Sequence, residues 1–123
     1  MKRILIVDDE ARVCFILGRA LQAMNGDLMI QTVQSASQAL SKFEEVGFDL
    51  LITDMRMPGM SGVELTEAVR ALNPQTAVIW ITGFGCHRVH DEGKQLGVYR
   101  CLDKPIKIGE FRDQSQRERV PEE

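Results

Sequence analysis

Asp8 and Asp9, Asp54, Thr82 and Lys104 each stand at the end of a short apolar run, and together they supply three carboxylates, a hydroxyl and an ammonium. Three carboxylates sharing one crevice repel, so at neutral pH one must hold a proton or a cation must offset the charge. Oxygen-only ligands favour a hard ion, and few carboxylates with room for water suit Mg2+ better than Ca2+, whereas Zn2+ takes His or Cys. A carboxylate beside Mg2+ is equipped to attack a phosphoryl group; an ammonium then offsets charge on the transferring oxygens and a hydroxyl binds one of them. Singly, each residue has a plainer explanation: Asp54 precedes Pro58 and Gly59 and is a natural turn cap.

The joint reading depends on elements that carry these residues to one place. Apolar runs predict strands over 3–7, 28–33, 50–53, 77–81 and 98–102. Between them, Val13, Ile16, Leu17, Ala20, Leu21 and Met24 line one helix face that closes at Asn25-Gly26. Ser35 with Gln38, and Ser61 with Glu64, are capping-box patterns. The first opens a stripe of Ala36, Ala39, Leu40 and Phe43; the second opens one of Leu65, Ala68, Val69 and Leu72. Residues 85–96 carry only Val89 and Leu96 as strong apolar positions and contain Gly93, so a less stable helix is expected. After Ile106 only Ile108 and Phe111 offer packing before the chain turns polar. We expect one domain over 1–112 and a polar tail, either a frayed helix end or a linker, over 113–123.

Alternating strands and helices with short connections predict a doubly wound α/β fold, a parallel sheet covered on both faces. In the flavodoxin-like order 2-1-3-4-5 the first and third strands are neighbours about 4.8 Å apart, so Asp9 and Asp54 face one crevice at the topological switch point. Thr82 comes one strand further, and Lys104 about 10 Å across the sheet, within reach of its long side chain.

A length of 123 residues, 44% apolar and 27% charged, describes one ordinary globular domain. The net charge of −3 gives no broad pull toward nucleic acid or an anionic membrane, and no run approaches transmembrane length, so a cytoplasmic location is expected. Cys14, Cys86 and Cys101 show no zinc-ligand or C-x-x-C spacing, and each is expected to remain a reduced thiol on an apolar face. His87 and His90 share a helix face beside Cys86 and Asp91, but no second cluster completes a four-ligand metal site.

Four motifs in order resemble the receiver domain of two-component response regulators: Ile-Val-Asp-Asp-Glu at 6–10, Thr-Asp-Met-Arg-Met-Pro-Gly-Met-Ser-Gly at 53–62, Ile-Thr-Gly at 81–83 and Leu-Asp-Lys-Pro at 102–105. The resemblance implies that Asp54 takes a phosphoryl group from a phosphohistidine on a sensor histidine kinase or phosphotransfer protein. By the same likeness Asp9, Asp54 and the backbone carbonyl of Arg56 bind Mg2+, Asp8 acts through water, and Thr82 and Lys104 hold the phosphoryl oxygens. A cis Lys104-Pro105 bond is also implied, a geometry that X-Pro bonds adopt cheaply. The domain would be a phosphorylation-driven switch and not a conventional enzyme. Its output would come from a downstream target or a further domain, without direct binding of nucleic acid or membrane.

Two departures from that family stand out. Receivers carry Tyr or Phe three residues before the lysine, where this chain has Cys101; Tyr99 lies two residues earlier on the same side of an ideal strand. Arg56 and Phe84, each two residues past a site residue, flank the acceptor, and bulk at Phe84 is expected to slow hydrolysis of the acyl phosphate. The last helix lacks apolar residues near Arg112 and Ser115, which bears on the homodimer that receivers commonly form through the fourth helix, fifth strand and fifth helix. The alternative is a degenerate or structural receiver, an interaction module with an altered readout. An aspartyl-phosphate phosphatase of the haloacid-dehalogenase type would need an acid where Arg56 stands, and Asp8-Asp9-Glu10 would repel a flavin phosphate.

Overall fold

The structure, a computed structural model, describes residues 2–24 and 26–106. Its strands are β1 (Lys2–Val7), β2 (Leu28–Val33), β3 (Leu50–Asp54), β4 (Ala77–Thr82) and β5 (Arg100–Asp103). They form one parallel sheet in the order β2-β1-β3-β4-β5, the flavodoxin-like order expected. β5 starts two residues later than its apolar run because the Val98 N–H donates to Gly93 O at 2.8 Å, closing the preceding helix. The expected tail helix, with Ile108, Phe111, Arg112 and Ser115, lies outside the described residues.

Period-two alternation splits the sheet's side chains between two cores. Leu5, Val7, Leu51, Val78 and Trp80 face α2 (Ala36–Glu45) and α3 (Gly62–Leu72), meeting Ala39, Phe43, Leu65 and Val69. Ile4, Ile6, Ile52, Ile79 and Ile81 face the other way, toward Cys14, Leu17 and Leu21 of α1 (Ala11–Gln22). The helix stripes are narrower than the sequence suggests: Ile16 is partly exposed and Leu72 is 51% exposed, each lying at the margin of its apolar arc. Cys14 and Thr66 take inner positions instead. Thr66 is tolerated there because its hydroxyl donates to Gly62 O at 2.8 Å and accepts from Trp80 Nε1 at 2.8 Å.

The capping patterns differ in outcome. Ser61 and Glu64 close the full reciprocal box, at 3.2 and 3.0 Å, pinning the start of α3. At α2 the Ser35 hydroxyl accepts from the Gln38 N–H, but Gln38 Oε1 reaches back one residue further, to the Gln34 N–H. The weak segment splits into a 3-10 helix, Cys86–Val89, and a seven-residue α4 (His90–Leu96) without a side-chain cap. α4 ends on Gly97 at φ +71°, a left-handed cap. From α3, Arg70 Nε and Nη2 donate to the Leu96 and Gly97 carbonyls at 2.9 and 2.8 Å, and Nη1 donates to Thr76 O. No helix among the described residues is long and apolar enough to cross a membrane.

Candidate functional site

The strand register assembles the site. Val7 pairs with Thr53 and Asp54 with Ile81, so Asp8 and Asp54 leave adjacent strands side by side. Thr82 pairs with Asp103, which sets Lys104 one residue past the same edge. Each carboxylate of Asp8, Asp9 and Asp54 offers an oxygen within 4.8 Å of the others. Lys104 Nζ reaches back to 3.3 Å from Asp8 Oδ2, 3.4 Å from Asp54 Oδ1 and 3.1 Å from Glu10 Oε1.

Burial sets the electrostatics. Asp8 is fully buried and Asp54 nearly so, while Asp9 is exposed. Burial raises the Asp8 carboxyl to about 6; the Glu10 N–H, donating to Oδ1 at 2.9 Å, opposes this, and the Asp54 charge adds to it. Burial likewise raises Asp54, against the pull of Lys104 and of the Met55 N–H, which donates to Oδ1 at 2.9 Å. Burial disfavours charge on Lys104 too, but its Glu10 hydrogen bond and the Asp8 and Asp54 carboxylates outweigh this and leave the ammonium above its ordinary value.

Asp8 Oδ2 is the exception in this network: it is buried and accepts no hydrogen bond of good geometry, its 3.3 Å approach to Lys104 being an ion-pair contact. A carboxylate oxygen without a hydrogen-bond donor, beside two further carboxylates, is a donor set that fits a hard divalent cation. The acidic cluster is therefore positioned for metal binding.

Thr82 is fully buried at the tip of β4, and its Oγ1 accepts from the Phe84 N–H at 3.0 Å, leaving its own proton free to donate. The Lys104 N–H donates to Thr82 O at 2.8 Å, and the Lys104-Pro105 bond is cis. The exposed Arg56 stacks its guanidinium 4.4 Å from the centre of the half-buried Phe84 ring. Tyr99 and Cys101 both line a cavity of about 630 Å³ between α4 and β5, away from the acids.

One expectation is overturned. Cys86 and Cys101 are joined in a disulfide, with Cα atoms 5.8 Å apart, and only Cys14 is a free, buried thiol. The 3-10 turn brings Cys86 over β5, a proximity that a separation of 15 residues does not announce. His87 and His90 line the same cavity without a companion ligand cluster; among the described residues the acids above are the one such group.

Two contributors were not singled out from sequence. Glu10 holds Lys104, and its place in the acidic run 8–10 was the available signal. Gly62 lets α3 start against the end of β3: a Cβ there would collide with Asp54 O and lie 2.9 Å from Met55 Cα. Its place inside the Ser61–Glu64 capping box marked the start of a helix but not this close approach.

A family model described as the response regulator receiver domain matches residues 4–116. The chain is 31% identical over 112 residues to the response regulator protein PilR of Pseudomonas aeruginosa, covering 91% of this chain but 25% of PilR. It is 32% identical over 114 residues to sporulation initiation phosphotransferase F of Bacillus subtilis, covering 91% of this chain and 89% of that one. Among solved structures, the response regulator protein TrrA of Thermotoga maritima in complex with Mg(2+)-BeF superposes with a TM-score of 0.83 at 29% identity, over 96% of this chain and 99% of that one.

Proposed function

This chain belongs to the response regulator receiver family, and on that premise we propose that Asp54 is its phosphoacceptor, charged by a sensor histidine kinase or phosphotransfer partner in the cytoplasm. The observation that carries the reading is the single hollow in which Lys104 Nζ lies within 3.4 Å of both Asp54 and Asp8, beside the exposed carboxylate of Asp9. An Asp54 carboxylate oxygen attacks phosphorus, the bond to the donor's imidazole nitrogen breaks, and an acyl phosphate results.

Mg2+, held by Asp9, Asp54 and the Arg56 carbonyl with Asp8 acting through water, would offset charge on the transferring oxygens. Lys104 shifts from the Asp54 carboxylate to a phosphoryl oxygen, since the added group concentrates negative charge beyond Asp54. The Thr82 hydroxyl donates to another, and turning it inward disturbs the Phe84 N–H bond and so the segment leading to Cys86. That segment and α4, which has no side-chain cap at its start, are the bistable element that a target or output region reads. Driving it from mostly off to mostly on takes about 5.5 kcal/mol, within reach of a few charge-assisted hydrogen bonds.

The test is incubation with Mg2+ and acetyl phosphate, read by intact mass and Trp80 fluorescence. The protein gains one phosphoryl mass and Asp54→Asn gains none; an adduct that persists in the variant removes the assignment. Phe84→Ala, which also strips the stacking partner of Arg56, shortens the half-life of the adduct; an unchanged half-life removes the shielding role of Phe84. A second reading, a receiver with altered readout, draws on Cys101, whose sulfur is bonded and cannot swing inward as an aromatic would.

A further inference from the structure

We propose that Cys86 and Cys101 form a thiol-based modification site whose redox state sets how far phosphorylation can move the β4–α4 segment; this rests on the phosphoacceptor reading above. Both cysteines are half-buried and line the cavity between α4 and β5, which gives a small dithiol a path to the bond outside the sheet's core. Cys14, by contrast, is buried against the carbonyls of Asp8 and Val33.

The position of the bond gives it leverage. Only residues 83–85 separate Thr82 from Cys86, and Gly85 holds φ +104°. The far end of this short segment is fixed to β5 twice, by the disulfide and by the Cys86 N–H donating to Asp103 Oδ1 at 2.9 Å. Any inward turn of Thr82 must be absorbed within those three residues while the disulfide stands. Once it opens, one hydrogen bond is left of the two ties, and the entrance of the 3-10 helix at Cys86 can follow Thr82 while Val89 stays seated in the core.

The chemistry is an exchange with a dithiol reductant. Its thiolate attacks one cysteine sulfur, the bond between Cys86 and Cys101 breaks, and the other sulfur leaves as a thiolate and takes up a proton. The reductant's second thiol then resolves the mixed disulfide. Two electrons pass to the protein, which gains two thiols, and the reductant becomes a disulfide. In a reducing compartment a bond of this kind is transient and regulatory, reformed by oxidised dithiols or by glutathione disulfide.

The full chain, equilibrated with glutathione disulfide or with dithiothreitol, is alkylated with N-ethylmaleimide and weighed. We expect no rapid adduct in the oxidised protein and two in the reduced, on Cys86 and Cys101. Both forms are then treated with Mg2+ and acetyl phosphate and followed by hydrogen exchange. Each gains a phosphoryl group, but the phosphorylation-induced change in exchange over residues 83–89 is about fivefold larger in the reduced form. In this exchange response Cys86→Ser and Cys101→Ser each match the reduced form in either buffer, and each carries one rapid adduct after reduction instead of two. Two rapid adducts in the oxidised sample, or a response indifferent to redox state, would overturn the proposal. A missing phosphoryl group in both forms sinks the phosphoacceptor reading and the coupling together, and the adduct count still distinguishes that failure from absence of the disulfide.

Discussion

Helices α3 and α4 border the same half of the sheet, yet they are built in opposite ways. α3 begins on a complete capping box, buries Leu65 and Val69 fully, and starts so close to β3 that only a glycine fits at 62. α4 has seven residues, no side-chain cap and a 3-10 turn at its entrance, and Gly93 is its one buried residue. The first arrangement fixes the backbone on which Asp54 is mounted. The second leaves a segment tied mainly at its two ends, by Cys86 to β5 and by Arg70 at Leu96 and Gly97, with little burial between them, a construction that favours local opening. The contrast teaches that stiffness differs across the site: the backbone under Asp54 is held, and α4 is loosely built.

The same replacement, glycine by alanine, separates the two helices by the size of its cost. Gly62→Ala forces a Cβ into the Asp54 carbonyl and the Met55 backbone and is expected to cost about 3 kcal/mol, with slowed phosphorylation, in denaturant melts and acetyl phosphate assays. A loss under 1 kcal/mol would mean that the α3 side is also compliant.

The acceptor side stores electrostatic cost as well. The Asp8 carboxyl sits near 6 in the folded chain against an ordinary 3.8, so between those values the metal-free folded state binds more protons than the unfolded state. This contribution is full below pH 3.8 and fades as pH rises through 6, which lowers stability by up to about 3 kcal/mol at neutral pH. Asp8→Asn should flatten that fall in melts taken across pH 4 to 7 without Mg2+, and added Mg2+ should flatten it in the unaltered protein. An unchanged pH profile in the variant would assign the cost elsewhere.

The smallest effect belongs to α4. Gly93→Ala gains about 1 kcal/mol of helix propensity, offset by a Cβ 3.3 Å from Trp80 Cζ3, so we expect a net change within about 0.5 kcal/mol. A large loss measured by thermal melting would show α4 to be as tightly seated as α3.

Much of this was legible because buried parallel strands write themselves as apolar runs, and because parallel strands place all their ends on one edge. The gathering of Asp8, Asp9, Asp54 and Lys104 followed from strand order alone. What escaped depends on distances that no periodicity encodes. The exposure of Leu72 reflects how wide an arc of the helix the sheet covers, the Cys86–Cys101 bond reflects the path of one short loop, and the need for glycine at 62 reflects a close backbone approach. Gln38 had the right spacing for a reciprocal cap and chose the Gln34 N–H instead, a choice between two donors one residue apart.

The Arg70 clamp on the carbonyls of Leu96 and Gly97 has a mechanical consequence. It ties the C-terminal end of α4 to α3, so on the switch reading proposed above a push arriving through Cys86 would swing the helix about a pivot near Gly97 instead of sliding it along the sheet. Under that proposal, with the disulfide open, travel would be greatest at the helix entrance near His90 and least toward Leu96, and a partner sensitive to the swing would grip the entrance of the lever.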